Sequence, residues 1–179
     1  LSRGEIDMGL CLAAGPGYAA DPVAQEELLL VAPTAAGAAG ADGPKDAALP
    51  FSALADHRLV LPARGNPFRH DLEARAQTDG IALDVVLEVD GFASRLNAVA
   101  TGIGATLIGA HPIPSAVREY RLQLCRFAPP GLPRTLYLGR RQGLDPAVAT
   151  RVADAVAGAL RDIGLAPAPP SGGDGGAVL

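Results

Sequence analysis

Short apolar segments alternate with amphipathic ones along most of this chain, and that alternation is what most limits its possible folds. Helices that separate strands cross over a sheet, which favours an α/β fold with parallel strand pairing. We predict strands at residues 6–12, 26–32, 58–61, 83–89, 105–109, 122–127 and 134–139, and helices at 51–55, 67–79, 91–101, 112–119 and 146–163. Gly/Pro/Ala-rich segments at 13–22 and 33–50 are predicted as loops, and 166–179 as a disordered tail.

Composition excludes several classes of protein. Hydrophobic residues make up 49% of the 179 residues, which is enough for a substantial core. The net charge of −4 argues against a chain that grips nucleic acid by bulk electrostatics. No apolar stretch approaches the roughly 20 residues that a membrane-spanning helix needs. We therefore expect a cytoplasmic protein with no membrane segment.

The residue types that usually carry catalysis are scattered. His57, His70 and His111 have no metal-ligand spacing, and no nucleophile has an evident partner, so we expect no metal, no cofactor and no enzymatic activity. Cys11 and Cys125 both fall in predicted strands, where they are expected to be small buried hydrophobic residues. The alternative is a disulfide or redox pair.

The segment 63–68 carries the strongest indication of a ligand. It joins the carboxyl end of a strand to a helix, with Asn66 suited to the N-cap and Pro67 to the first helical position. Backbone N–H groups and the positive end of the helix dipole then point at one place. We predict a pocket there for a carboxylate, phosphate or sulfate, held mainly by the backbone of residues 65–67.

Two arginines flank this segment and could add positive charge to the pocket. Arg64 precedes the helix and Arg69 lies in its first turn. The alternative is that Arg69 pairs with Glu73 on the helix surface while Arg64 faces water.

Four carboxylates lie at the ends of predicted strands. Glu26 and Glu27 lie at the very start of the predicted strand 26–32 and are expected to be solvated. Glu88 and Asp90 lie at the far end of the strand 83–89, the edge where ligands collect in parallel α/β sheets. Capping of the next helix by Asp90 explains that residue without any ligand.

Several phrases, in order, resemble the effector-binding region of LysR-type transcriptional regulators. They are GEIDMGL at 4–10, EELLLVAP at 26–33, PFSALADHRLVLP at 50–62, FRHDLEARAQTDGI at 68–81, LEVDGFASRLNAVATGIGATLI at 87–108 and PRTLYLGRRQGLDPAV at 133–148. The likeness covers about residues 1–165.

The resemblance implies a two-lobed, periplasmic-binding-protein-like (type 2) fold that binds a small effector between its lobes. Lobe I would combine residues 1–32 with 132–165, and lobe II would span 34–128, with crossings near 30–33 and 129–134. The effector contacts implied by position are Arg64, Gly65, Asn66, Pro67 and Phe68 in one loop, Gly102, Gly104 and Thr106 in a second, and Cys11 in the other lobe.

The resemblance also implies partners. Family members form homodimers or tetramers through this region and bind DNA through a winged helix-turn-helix that this sequence does not contain. The family's first strand, first helix and second strand of lobe I are not found either, so we expect an N-terminally truncated chain with an incomplete lobe I. The alternative is a solute-binding receptor of a transport system on the same fold.

Overall fold

The structure is a computed structural model that describes residues 6–13, 17–34, 48–110 and 115–169. In chain order the strands are β1 (Met8–Cys11), β2 (Tyr18–Ala32), β3 (Arg58–Leu61), β4 (Asp84–Glu88), β5 (Thr106–Gly109), β6 (Gln123–Cys125) and β7 (Pro133–Arg141). A short 3-10 helix covers Phe51–Asp56, and the α-helices are α1 (Pro67–Thr78), α2 (Phe92–Ala100), α3 (Ser115–Glu119) and α4 (Pro146–Asp162). None of these helices is long and apolar enough to cross a bilayer.

Most predicted elements are confirmed, but β2 is much longer than predicted. It begins at Tyr18, so the prediction of a loop over 13–22 is wrong from that residue onward. Residues 18–25 lack the continuous apolar run that marks a fully buried strand, yet they hydrogen-bond in a sheet beside β7. The predicted loop at 33–50 and tail at 166–179 lie mostly outside the described residues. At the start of that tail, the carbonyl of Ala166 accepts a hydrogen bond from Gln25 N at 2.9 Å.

The prediction of parallel pairing is correct for one part of the molecule only. β3 and β4, which helix α1 connects, are parallel. β1 pairs antiparallel with β7, and β2 pairs antiparallel with both β5 and β6. The crossover rule applies to neighbouring strands joined by a single helix. It therefore holds for β3–α1–β4 and does not govern strands that meet from distant parts of the chain.

Two compact units divide the chain, one comprising residues 1–26 with 133–178 and the other residues 27–132. In the first unit β7 lies between β1 and the amino-terminal part of β2. Its buried core joins β2 to helix α4 and the residues after it, and contains Ala24, Leu160 and Leu165 with Val23, Leu136 and Val156 packed against them. Three large apolar residues of α4 and its carboxyl end are exposed, namely Val148, Val152 and Ile163.

The second unit has a mixed sheet. Leu59 of β3 bridges Ala105, directly before β5, so the pairings give the strand order β4, β3, β5, β2, β6. One buried cluster packs helices α2 and α3 against β2 and β5, and contains Leu29, Val31, Leu96, Val99, Ile108, Ala110, Val117 and Leu122. Aliphatic side chains thus form this core, in keeping with a sequence in which aromatic residues make up only 4%.

The prediction that Glu26 and Glu27 are solvated is wrong. Within the first unit, Glu26 is only 7% exposed and accepts hydrogen bonds from the guanidinium of Arg134, with Nε at 2.9 Å. Within the second unit, Glu27 Oε1 accepts from the backbone N–H of Leu132 at 2.8 Å. Burial of a carboxylate is tolerable only when such donors replace water, and here they come from the distant segment 131–134.

Candidate functional site

Residues 62–66 form the loop that connects β3 to helix α1. Because β3 and β4 are parallel, their carboxyl ends at Leu61 and Glu88 lie at the same edge of the sheet. Asn66 is the N-cap of α1, as predicted, and its Oδ1 accepts from Phe68 N at 3.0 Å. Pro67 occupies the first helical position. The amino end of α1 therefore opens at the sheet edge where a ligand would gain most from the helix dipole.

The side chain of Asp90 hydrogen-bonds to the backbone of this loop. Its Oδ1 accepts a hydrogen bond from Ala63 N at 3.1 Å. The expectation that Asp90 caps α2 is wrong, because Gly91 is the N-cap and makes no side-chain cap bond. Asn66 N donates to the Ala63 carbonyl at 2.9 Å, which closes the loop into a turn. One side chain from the segment after β4 and one backbone hydrogen bond within the loop therefore fix the loop backbone.

Arg69 lies beneath the loop. Its side chain is 1% exposed, and its Nε and Nη2 both lie 2.8 Å from Glu73 Oε1. The predicted alternative of an Arg69–Glu73 pair is therefore confirmed, but the arginine is buried and not on the helix surface. The sequence held a signal that was missed: Arg69 precedes Leu72 and Ala76 at spacings of three and seven, which places it on the buried face.

Arg64 is the exposed cation of the loop. Its side chain is 78% exposed, and its Nε lies 3.9 Å from Oε1 of Glu88, whose own side chain is 45% exposed. Such a long, solvated contact contributes little, so Arg64 can turn toward an incoming anion at small cost. Glu73 and Glu88 make the site electrostatically mixed, which suits a small acid better than a highly charged polyanion.

Gly102 and Gly104 of the second predicted loop do not lie beside the first loop. Ala105 N donates to the Arg58 carbonyl at 2.7 Å, which places residues 102–105 at the amino end of β3. The loop 62–66 follows the carboxyl end of the same strand. Gly102 and Gly104 are thus separated from Arg64 by the length of β3. The physical reason is the register of β5 on β3, which no local sequence pattern specifies.

Thr106 and Gly104 serve the packing of β5 against β3. Thr106 is 0% exposed, and its hydroxyl donates to the Val60 carbonyl at 2.7 Å. A Cβ on Gly104 would lie 2.5 Å from the Arg58 carbonyl oxygen, so only glycine permits this close approach. In the described structure both residues therefore have structural partners.

Cys11 lies in the first unit, at the end of β1. Its Sγ is 3.7 Å from the Tyr137 carbonyl oxygen, and the Tyr18 hydroxyl donates to the Ala13 carbonyl at 3.1 Å. Burial and the nearby Cys11 raise the pKa of the Tyr18 hydroxyl. Cys11 and Cys125 are both free and both partly exposed, so neither the disulfide alternative nor full burial holds.

Among the described residues no group of His, Cys, Asp and Glu could hold a metal ion. The loop 62–66, with an exposed arginine and a helix amino terminus, is suited to reversible binding of a small acid.

Comparison with known proteins identifies the family. A family model described as the LysR substrate binding domain matches residues 1–161. No curated protein sequence matches the chain significantly. The effector-binding domain of QuiR in complex with shikimate is 16% identical, with a TM-score of 0.67 over 90% of this chain and 73% of that chain. Reduced OxyR from N. meningitidis is 16% identical, with a TM-score of 0.71 over 93% and 76%.

A third similar structure, full-length BenM carrying E226K, is 18% identical, with a TM-score of 0.68. This chain is covered to 93% in that comparison, and BenM to 55%. These likenesses confirm the α/β, periplasmic-binding-protein-like (type 2) fold that the sequence predicted. The family model spans most of the chain, so this chain belongs to the family of LysR substrate-binding domains, the effector-binding regulatory domains of LysR-type regulators.

Proposed function

We propose that this chain senses a small organic acid through the loop 62–66 and passes that state to a DNA-binding domain of a LysR-type regulator. The observation that supports this most is the junction of β3 and α1. There a capped helix amino terminus and the exposed Arg64 lie at the carboxyl edge of two parallel strands. That edge is where ligands of α/β sheets bind.

Within the loop the proposed contacts are the guanidinium of Arg64 and the backbone around Gly65. Gly65 is exposed, and a Cβ built on it meets nothing within 4 Å, so a ligand can approach this backbone. Asn66, Pro67 and Phe68 act through the start of α1, which they shape. Cys11, in the other unit, remains a proposed contact on the strength of the family resemblance.

The two compact units are proposed to be the two lobes of the family. Their boundaries lie between Glu26 and Glu27 and between Leu132 and Pro133. The first boundary falls inside β2, which continues through it without interruption. It lies six residues before residue 32, the predicted end of the first segment of lobe I. We assign residues 27–132 to lobe II and the remaining described residues to lobe I.

We further propose that the domain self-associates as dimers or tetramers and works in the cytoplasm. A regulator of transcription acts where the chromosome is, which supports the location. Sedimentation of the 179-residue chain tests the assembly: a concentration-independent monomer would contradict it.

The effector proposal is tested by titrating the chain with sulfate, phosphate, benzoate, shikimate and several amino acids while recording amide NMR spectra. Saturable shifts at Gly65 and Phe68 with at least one acid are expected. Arg64→Gln should weaken that binding, and Arg118→Gln is the matched control, since Arg118 is an exposed arginine of the same unit. Shifts confined to residues outside 62–70, or equal losses in both variants, would contradict the proposal.

A further inference from the structure

Arg69 carries a buried charge whose partners lie in three different segments. Nη1 donates to the Pro62 carbonyl at 3.2 Å and lies 3.7 Å from Glu88 Oε1. Nε and Nη2 bond Glu73, one helical turn further along α1. A guanidinium this buried is stable only while such partners replace its hydration. The contacts therefore constrain the partners as much as they satisfy the arginine.

These partners surround the loop 62–66. Pro62 is where the chain leaves β3, Glu88 is the last residue of β4, and Glu73 belongs to α1. A planar guanidinium presents its donors in fixed directions, so it sets the relative positions of all three groups. Oε1 of Glu88, the atom near Arg69, is also the atom near Arg64. Arg69 thereby influences the exposed arginine without contact with it.

We propose that Arg69 is a positioning residue that holds Pro62 and Glu88 so that Arg64 and the Gly65 amide keep one arrangement in the absence of ligand. The importance of this arrangement for an effector rests on the proposed function. The positioning itself is measurable without any ligand, through the two loop amides whose hydrogen bonds are known. Ala63 N donates to Asp90, and Asn66 N donates to the Ala63 carbonyl.

Replacement of Arg69 by lysine keeps the positive charge but removes the planar arrangement of the guanidinium donors. An ammonium has three donors on one atom and cannot reach Glu73, Pro62 and Glu88 together as the guanidinium does. Arg75→Lys is the matched control. Arg75 lies in the same helix, and its Nε lies 2.7 Å from Asp79 Oδ2, in a pair that is remote from the loop. Glu73→Gln is a second variant that leaves Arg69 in place and weakens its closest contact.

Hydrogen exchange of the full chain, followed by NMR, is the decisive measurement. In Arg69→Lys we expect Ala63 and Asn66 amides to exchange about tenfold faster, while Ala110, whose amide bonds the Glu27 carbonyl, stays within about twofold. Glu73→Gln should increase the exchange rates of the same two amides roughly threefold, and Arg75→Lys should increase neither rate. Equal acceleration of loop and core amides, or loop rates like those of Arg75→Lys, would overturn the proposal. If Arg69→Lys does not fold, the same comparison of loop and core exchange rates in Glu73→Gln tests the proposal.

Binding of sulfate provides the second readout, with the Gly65 amide shift as the signal. The wild-type chain should bind at least about fivefold more tightly than Arg69→Lys, since a disordered loop must be ordered when the anion binds. Equal affinities would overturn the positioning role. An unchanged wild-type spectrum would instead contradict the proposed anion site, and the exchange rates would still decide whether Arg69 orders the loop.

Discussion

A Cβ built on Gly131 would overlap the carboxylate of Glu27, the group that accepts the Leu132 N–H. Gly131 also has φ near 80°, in the left-handed region that disfavours side chains. We therefore expect Gly131→Ala to lower the free energy of unfolding by ~2–3 kcal/mol, from backbone strain plus the lost hydrogen bond. Urea unfolding followed by circular dichroism measures this.

The control for that variant is Gly102→Ala. Gly102 has φ near 79°, but a Cβ there meets nothing within 4 Å. It should lose only the backbone strain, about 1 kcal/mol. Equal losses in the two variants would mean that Glu27 contributes nothing at this position.

Gly104→Ala tests the close approach of β5 to β3. The new Cβ would lie 2.5 Å from the Arg58 carbonyl oxygen, which is backbone and cannot turn aside. Separation of the strands should lower the free energy of unfolding by ~2–4 kcal/mol. Gly65→Ala, where a Cβ meets nothing within 4 Å, should change it by less than about 0.5 kcal/mol. A Gly104→Ala variant as stable as Gly65→Ala would contradict this close approach of Gly104 to the Arg58 carbonyl.

Thr106→Val asks whether the buried hydroxyl supports the fold. The substitution keeps the shape but removes the donor to the Val60 carbonyl, so we expect a loss of ~1–2 kcal/mol in thermal or urea unfolding. Thr78→Val is the control, since the hydroxyl of Thr78 bonds the Ala74 carbonyl on an exposed helix surface. If Thr106 acted only in effector binding, its substitution would leave the stability of the ligand-free chain unchanged.

Local signals explain what the sequence could predict. Asn66 and Pro67 specify the start of α1 by short-range capping, and the structure has both in the predicted roles. The partners of Glu26 and Glu27 are 108 and 105 residues away along the chain. No window of neighbouring residues contains that information, so both glutamates looked like ordinary surface carboxylates.

The candidate site was predictable in part for the same reason. The loop 62–66 follows from one strand, one cap and one helix that are adjacent in sequence. The separation of Gly104 from this loop depends on which end of β3 pairs with Ala105, a tertiary choice. The burial of Arg69 was visible in its spacing to Leu72, but its charge favoured the interpretation as a surface residue.

Asp71→Asn should reveal a pH-dependent penalty in α1. Burial raises the pKa of the Asp71 carboxyl, and the charge of His70 opposes this to a smaller extent. The folded state then keeps the Asp71 proton to a higher pH than the unfolded state, so this residue's contribution to stability falls as pH rises through the window between the two pKa values. The asparagine variant should be more stable than wild type at pH 7, by up to about 0.5 kcal/mol, and equal to it near pH 3.

Thermal unfolding at several pH values measures this difference, with Asp79→Asn as control. Asp79 pairs with Arg75 at 2.7 Å on the exposed side of α1. Its replacement should lower stability at pH 7 by about 0.2–0.5 kcal/mol. A destabilised Asp71→Asn at pH 7 would show that the carboxylate favours the helix by more than its burial costs.

Cys125 should be a slow nucleophile. Burial raises the pKa of its thiol, with a smaller opposing effect from a hydrogen bond to Gln123. Because the thiolate is the reactive form, alkylation of a Cys11→Ser variant by iodoacetamide should be slower than that of an ordinary free cysteine, and should keep accelerating at pH values where an ordinary cysteine has reached its plateau. The same variant unfolded in urea provides the reference rate at each pH. We expect the ratio of the folded to the unfolded alkylation rate to rise as pH increases through the unfolded thiol's pKa. Above that pKa the unfolded thiol is already ionised and its rate is constant, while the thiolate fraction of the folded thiol still increases. A ratio independent of pH would show that access to Cys125, and not its ionisation, limits the reaction.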